Sequence, residues 1–390
     1  MTETPTSTPA DPVVVTCAVI GTGLIGGSVA LAAAESGVQV QAWDRDEAAS
    51  AAVARRAGTS PRARGGITVA ASAADAVATA ELVVLAIPVE AIPTILAEIQ
   101  PRMKSHAVVT DVGSIKVNLQ ARIEALPPGA NGTWTTENFV GGHPMAGRAQ
   151  GGSSAVDGRL FHGATWILAP TEHTSTTAFA LVRRFVASLG AHVLAVSPQV
   201  HDRLVGVVSH LPQLLATELM VLAEQQADDD AEVALAMAAG GFRDATRVAA
   251  SDPDLWVGIL RANRQSVLAA LDGYAARLAG LRGDLEAENW PAVRARLEAG
   301  RAARDRLPTK QRATDVVDVM VPIDDRPGMV AQVATALGEA AVNIEDLHLQ
   351  HADEVAAGAI VVTVEASAAD RALAALERRG LVARRAPRQG

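Results

Sequence analysis

Hydrophobic positions along this chain change rhythm three times. From Val13 to about Ser197, short Val- and Ile-rich runs alternate with Ala-rich stretches of helical period. The runs are VVVTCAVI, VQVQAWD, ITVA, LVVLAIP, HAVVTDV, TWILAP and HVLAVS. Strands alternating with helices predict an α/β domain built on a mostly parallel, doubly wound sheet. From Pro198 to about Leu307 the strand signals vanish and long helical patterns predict an all-α domain. A charged, loop-like segment, residues 308–314, then reads as a linker. Beyond it come VVDVMVPI, a helix from Met329 to Ala340, VNIEDLHL, AAGAIVVTVE, a helix near Ala368–Arg379, and LVARRA. That order is βαββαβ, a small ferredoxin-like sandwich over residues 315–390. The expected division is therefore a polar tail (1–12), the α/β domain (13–197), the all-α domain (198–307), the linker and the sandwich.

Composition narrows the classes. At 390 residues, 49% hydrophobic and 20% charged, the chain is globular, with room for two or three domains. A net charge of −9 gives no basic footprint for nucleic acid. The one cysteine, Cys17, excludes an intrachain disulfide and a thiolate zinc site, and no metal is expected. A reducing, cytoplasmic setting fits this usage. The opening MTETPTSTPADP lacks the basic and apolar regions of a signal peptide and reads as a disordered tail. The longest apolar stretch, Leu82 to Ile99, contains Pro88, Glu90, Pro93 and Glu98, which suit a buried strand and helix better than a membrane span.

Gly21-Thr22-Gly23-Leu24-Ile25-Gly26 directly follows the first strand run and opens a helix. In that position the glycines permit a tight turn and close approach of a pyrophosphate to the helix N-terminus, the fingerprint of a Rossmann-type dinucleotide domain. Asp44 ends the next strand, 18 residues beyond Gly26. Its carboxylate can accept from both ribose hydroxyls and repels a 2′-phosphate, which favours NAD; Arg45 beside it could accommodate NADP. Ile87 and Pro88 end the fourth strand and should border the nicotinamide half.

Four further segments hold polar residues that packing alone would not demand: Asp111-Val112-Gly113-Ser114-Ile115-Lys116, Gly141-Gly142-His143-Pro144-Met145-Ala146-Gly147, Ser209-His210-Leu211-Pro212, and Gly241-Phe242-Arg243-Asp244-Ala245-Thr246-Arg247. With the glycine motif, and in this order, they resemble the prephenate/arogenate dehydrogenase family. The resemblance covers roughly Val15 to Leu307, and GGHPMAG with SHLP is its specific part. The tail, with VPIDDRPGMVAQVATAL and VNIEDL, resembles an ACT domain, a module that commonly binds amino acids.

The resemblance implies oxidative decarboxylation of prephenate with reduction of NAD+; the long apolar helical region after the cofactor domain needs a partner, so a homodimer is expected. It makes His143 the catalytic histidine, and an imidazole of ordinary pKa near 6.5 can act as a neutral base at pH 7. Ser114 would hydrogen-bond the histidine or the reacting hydroxyl; the alternative, which can coexist with it, is a cap for a helix starting at Ile115. His210 would contact the pyruvyl side chain, at a helical position that Pro212 leaves kinked or partly unbonded. Arg243 and Arg247, an i, i+4 pair on one helical face, would grip substrate carboxylates, although Asp244 could instead pair with Arg247. Trp256 follows a helix start at Ser251-Asp252-Pro253. In the tail, Asp325, Gly328 and Asn343 would surround an amino-acid effector, with tyrosine the expected one; a purely structural sandwich is the alternative.

Many members of the family carry an acidic residue soon after HPMAG, where this chain reads Gly147-Arg148-Ala149-Gln150. Arogenate bears an ammonium that would want a carboxylate, so the departure favours prephenate. Arogenate, a β-hydroxyacid-type substrate, and a non-catalytic sensor of NAD and amino acids remain as alternatives.

Overall fold

The structure, a computed structural model, describes residues 14, 16–127, 134–146, 152–225, 237–306, 316–324, 329–340, 342, 344, 346–351 and 357–386. It divides into two compact units, residues 1–294 and 295–390.

The first unit carries an eight-stranded sheet of β1 (Thr16–Ile20), β2 (Gln39–Trp43), β3 (Ile67–Val69), β4 (Leu82–Leu85), β5 (Val108–Asp111), β6 (Phe139–Pro144), β7 (Thr165–Ala169) and β8 (His192–Ala195). Its order is β3-β2-β1-β4-β5-β6-β7-β8. Every pairing is parallel except β6 with β7. Strand order reverses between β1 and β4, the crevice where doubly wound sheets take their ligands. Helices α1 (Leu24–Glu35), α2 (Glu47–Thr59), α3 (Ala73–Val77), α4 (Ile92–Ile99), α5 (Val117–Glu124) and α6 (Thr176–Ser188) join the strands. β1 and β4 are buried on both faces, which is why their sequences read as unbroken apolar runs. One core packs Val19, Val84, Phe161 and Trp166 with α1 and α6; the other packs Ile20, Leu85, Leu96 and Phe139 with α3 and α4.

The all-helical continuation is α7 (Pro198–Val205), a π turn (Gly206–His210), α8 (Leu211–Gln225), α9 (Gly240–Thr246), a 3-10 turn (Arg247–Ala250), α10 (Pro253–Ala262), α11 (Arg264–Glu286) and α12 (Trp290–Arg304). Ser197 caps α7 through Val200 N–H, and Asp252 caps α10 through Asp254 N–H, each followed by proline at the first helical position. The disturbance expected beside Pro212 is the π turn.

The second unit holds β9 (Val316–Asp324), α13 (Met329–Glu339), β10 (Asp346–His351), β11 (Ala357–Glu365), α14 (Ala369–Arg378) and β12 (Arg384–Ala386). Its sheet is antiparallel throughout, in the order β10-β11-β9-β12, over a core that includes Val319, Val333, Leu337, Ile360 and Leu376. The effector candidates Asp325, Gly328 and Asn343 lie outside the described residues.

Candidate active site

The glycine loop between β1 and α1 has a division of labour. Gly21 has φ +93°, and a Cβ there would lie 2.3 Å from the Ala86 carbonyl oxygen. A Cβ on Gly26 would lie 2.0 Å from the Gly21 carbonyl oxygen. Both glycines are thus demanded by the fold. Gly23 is not: a Cβ there would meet nothing within 4 Å. It stands at the N-terminus of α1, where no side chain caps the free N–H groups. Open space before uncapped amides is what a pyrophosphate needs. Asp44 accepts from Thr22 N–H at 2.6 Å and from Asp46 N–H at 3.0 Å, which fixes the carboxylate beside the loop. Asp44 and Arg45 line a cavity of about 370 Å³ with Gly21, Ile87 and Pro88.

A second cavity, of about 580 Å³, shares Ile87 and Pro88 with the first. Ile25, Ser114, His143, Glu90 and Asp254 are among its walls. His143 projects from β6 and Ser114 from the segment after β5, so the parallel β5–β6 pairing brings these sequence-distant residues to one mouth. Asp111 locks that mouth. Its carboxylate accepts from Gly113 N–H at 2.8 Å and Gly142 N–H at 3.0 Å, and pairs with the buried Lys116 ammonium. Burial pulls the Lys116 pKa below its usual value, against the pull of Asp111.

Behind His143 lies a buried polar network. His143 Nδ1 is 2.9 Å from His201 Nε2, and His201 Nδ1 is 2.7 Å from Asp202 Oδ1. Asp202 also accepts from the Lys116 and Val117 amides at 2.8 and 2.9 Å. Asn263 Nδ2 donates to the Asp202 carbonyl at 2.8 Å and lies 3.2 Å from His210 Nδ1. The His210 ring packs edge-on to Trp256, centroids 5.9 Å apart. Desolvation holds the His143 pKa well below 6.5, reinforced by Lys116, His201 and His210. Desolvation lowers His210 to about 4. Both imidazoles are neutral at pH 7.

Ser114 caps no helix: α5 begins at Val117, and Asp202 from α7 supplies the acceptor for its first amides. His210 is 1% exposed, whereas Val207 and Val208 on the same π turn are exposed. α9 ends at Thr246 and Arg247, still in helical conformation, opens the 3-10 turn that continues it. Both arginines are exposed, Arg243 donating to the Ala238 carbonyl, and neither lines the His143 cavity.

Reading the sequence missed His201, Asp202 and Asn263, and left Lys116 without a role. One signal was available: an adjacent His and Asp on an apolar helix. Their relation to His210 was hidden. Nine residues apart in a regular helix, side chains point to opposite faces; the extra residue of the π turn rotates His210 back by about 100°.

The chain matches the prephenate dehydrogenase nucleotide-binding domain family over residues 29–195 and the prephenate dehydrogenase dimerization domain family over residues 197–299. It is 29% identical over 334 residues to prephenate dehydrogenase of Bacillus subtilis, covering 84% of this chain and 86% of that one. It is 31% identical over 297 residues to cyclohexadienyl dehydrogenase of Zymomonas mobilis, covering 75% and 96%. The crystal structure of Aquifex aeolicus prephenate dehydrogenase with hydroxyphenyl propionate and NAD+ superposes with a TM-score of 0.64 at 27% identity, covering 75% and 98%.

Proposed function

The chain belongs to the prephenate dehydrogenase family, and from that premise we propose the chemistry of its two joined cavities. It is an NAD-dependent dehydrogenase that converts prephenate to 4-hydroxyphenylpyruvate and CO2. The observation that carries this reading is a neutral, desolvated His143 facing the cavity that adjoins the glycine loop.

Gly21, Gly23, Leu24, Ile25 and Gly26 hold the pyrophosphate side of the cofactor, Asp44 the adenine ribose, and Ile87 and Pro88 the path to the nicotinamide. When bound, NAD+ supplies the hydride acceptor. His143 takes the C4 hydroxyl proton as the C4 hydride leaves, turning C4–OH into a carbonyl. The C1–carboxylate bond then breaks, its electron pair completes the aromatic ring, and the resulting phenolate recovers a proton. Ser114 hydrogen-bonds the same hydroxyl. His210, a neutral donor, holds the pyruvyl group. Arg247, and with it Arg243, meets substrate carboxylate once the neighbouring surface is covered.

That covering is a second copy of the chain. The run Pro198–Gln225 is long and apolar enough to cross a membrane by length and composition, yet it carries the buried His201, Asp202 and His210. Its exposed Leu204, Val207, Val208, Leu219 and Leu222 suit a homodimer contact within the matched dimerization domain. A cytoplasmic location accompanies this activity. The domain limits proposed are 13–197 for the NAD-binding part, 198–307 for the helical part and 315–390 for an ACT-like unit that binds tyrosine through Asp325, Gly328 and Asn343.

A second reading, arogenate as substrate, is favoured by one observation. Glu90 and Asp254 line the cavity, so carboxylates able to meet an ammonium exist outside the segment after Met145. Following NADH formation with prephenate and arogenate side by side tests both. Prephenate turnover at the higher kcat/KM supports the first reading; arogenate turnover alone overturns it.

A further inference from the structure

We propose that Asp202 is a positioning hub that sets opposite tautomers in the two active-site histidines, leaving His143 Nε2 as acceptor and His210 Nε2 as donor. The Asp202 carboxylate accepts and cannot donate, so the 2.7 Å contact makes His201 Nδ1 a donor. His201 is buried between His143 and Asp202, and the Asp202 carboxylate also accepts from two backbone amides at the start of α5. In its one-proton form the His201 ring carries that proton on Nδ1, so its Nε2 accepts. His143 Nδ1 must then donate across 2.9 Å, which places the lone pair on Nε2. Since Nδ1 is engaged behind the strand, Nε2 is the ring nitrogen left for the cavity.

The other arm is fixed by a carbonyl. The Asp202 backbone oxygen accepts from Asn263 at 2.8 Å, which identifies that end of the amide as NH2. The same nitrogen, 3.2 Å from His210 Nδ1, can only donate, so His210 carries its proton on Nε2. One residue thereby makes one histidine a base and its neighbour a hydrogen-bond donor, without itself touching substrate. When His143 gains the hydroxyl proton, the imidazolium donates through His201 toward the Asp202 charge, and no second proton transfer is required.

This inference rests on His143 being the base, and its test separates the two claims. His201→Phe keeps a ring of similar volume but removes the acceptor; His201→Gln keeps an acceptor. A positioning role predicts that Phe lowers kcat about 10–100-fold and Gln distinctly less, with KM for prephenate and for NAD within about twofold. A packing role predicts the reverse order, which overturns the proposal. Nitrogen-15 NMR of the wild-type protein needs no variant to fold: His143 Nδ1 and His210 Nε2 should be protonated, and His143 Nε2 and His210 Nδ1 bare. Protonated His143 Nε2 at neutral pH sinks the relay even if His143→Asn is inactive. An active His143→Asn variant sinks the base assignment itself.

Discussion

At the residue scale, His143 and His210 are both kept neutral by burial, but for different work. A base must be unprotonated to react, and lowering its pKa extends the range over which it is. The acid limb of kcat/KM for prephenate should therefore fall below pH 6.5, because His143 stays bare as the pH drops through the ordinary histidine range. A limb centred at 6.5 or above in the pH–rate profile would contradict this desolvated setting. His143→Asn should retain NAD affinity and lower kcat about 10²–10⁴-fold, measured by cofactor fluorescence and steady-state NADH formation. Arg247 is exposed, so the carboxylate contact proposed for it is a shallow one. Arg247→Ala should raise KM for prephenate roughly tenfold and leave KM for NAD unchanged. The opposite pattern would move the arginine to the cofactor.

Among elements, the β1–α1 turn and the start of α5 show two ways of meeting free helix amides. In α5 the protein itself supplies the acceptor, Asp202, and so ties the segment bearing Ser114 to the helix bearing His201. In α1 no side chain supplies one, and these are the amides proposed to hold the pyrophosphate. The two glycines nearest that turn should consequently respond differently. Gly23→Ala should cost at most about 1 kcal/mol of stability, the difference between glycine and alanine at a cap, yet raise KM for NAD. Gly21→Ala should lower the melting temperature as well, since its φ of +93° and the 2.3 Å approach to Ala86 both oppose a side chain. Thermal melts beside NAD titrations distinguish them; equal melting losses would show that Gly23 is structural.

For the whole molecule, the second unit has its own core around Val319, Val333 and Leu376, and the His143 and His201 network lies entirely in the first. Ending the chain at Arg306 should leave a folded dehydrogenase. If the tail reads tyrosine, that truncated enzyme should lose tyrosine inhibition, a coupling typically worth about 1–3 kcal/mol. Calorimetry and NADH formation on both proteins, titrated with tyrosine, phenylalanine and tryptophan, check this. Inhibition that survives truncation would put tyrosine in the active site as a product analogue.

The strand–helix alternation, the glycine turn with Asp44, and the histidine after Gly141-Gly142 were legible in the residues alone, because each is written in local spacing and backbone sterics. The apolar run that begins at Leu82 needed no partner to be read as a buried strand. Tertiary structure alone decided what surrounds His143. Lys116, His201, Asp202 and Asn263 come from three segments, and their meeting depends on parallel pairing of β5 with β6 and on one π turn. The same limit misled the reading of Ser114, whose expected cap comes instead from Asp202, 86 residues beyond Lys116. A hydrogen bond across such a separation leaves no local trace, since burial and register, not neighbouring residue types, create it.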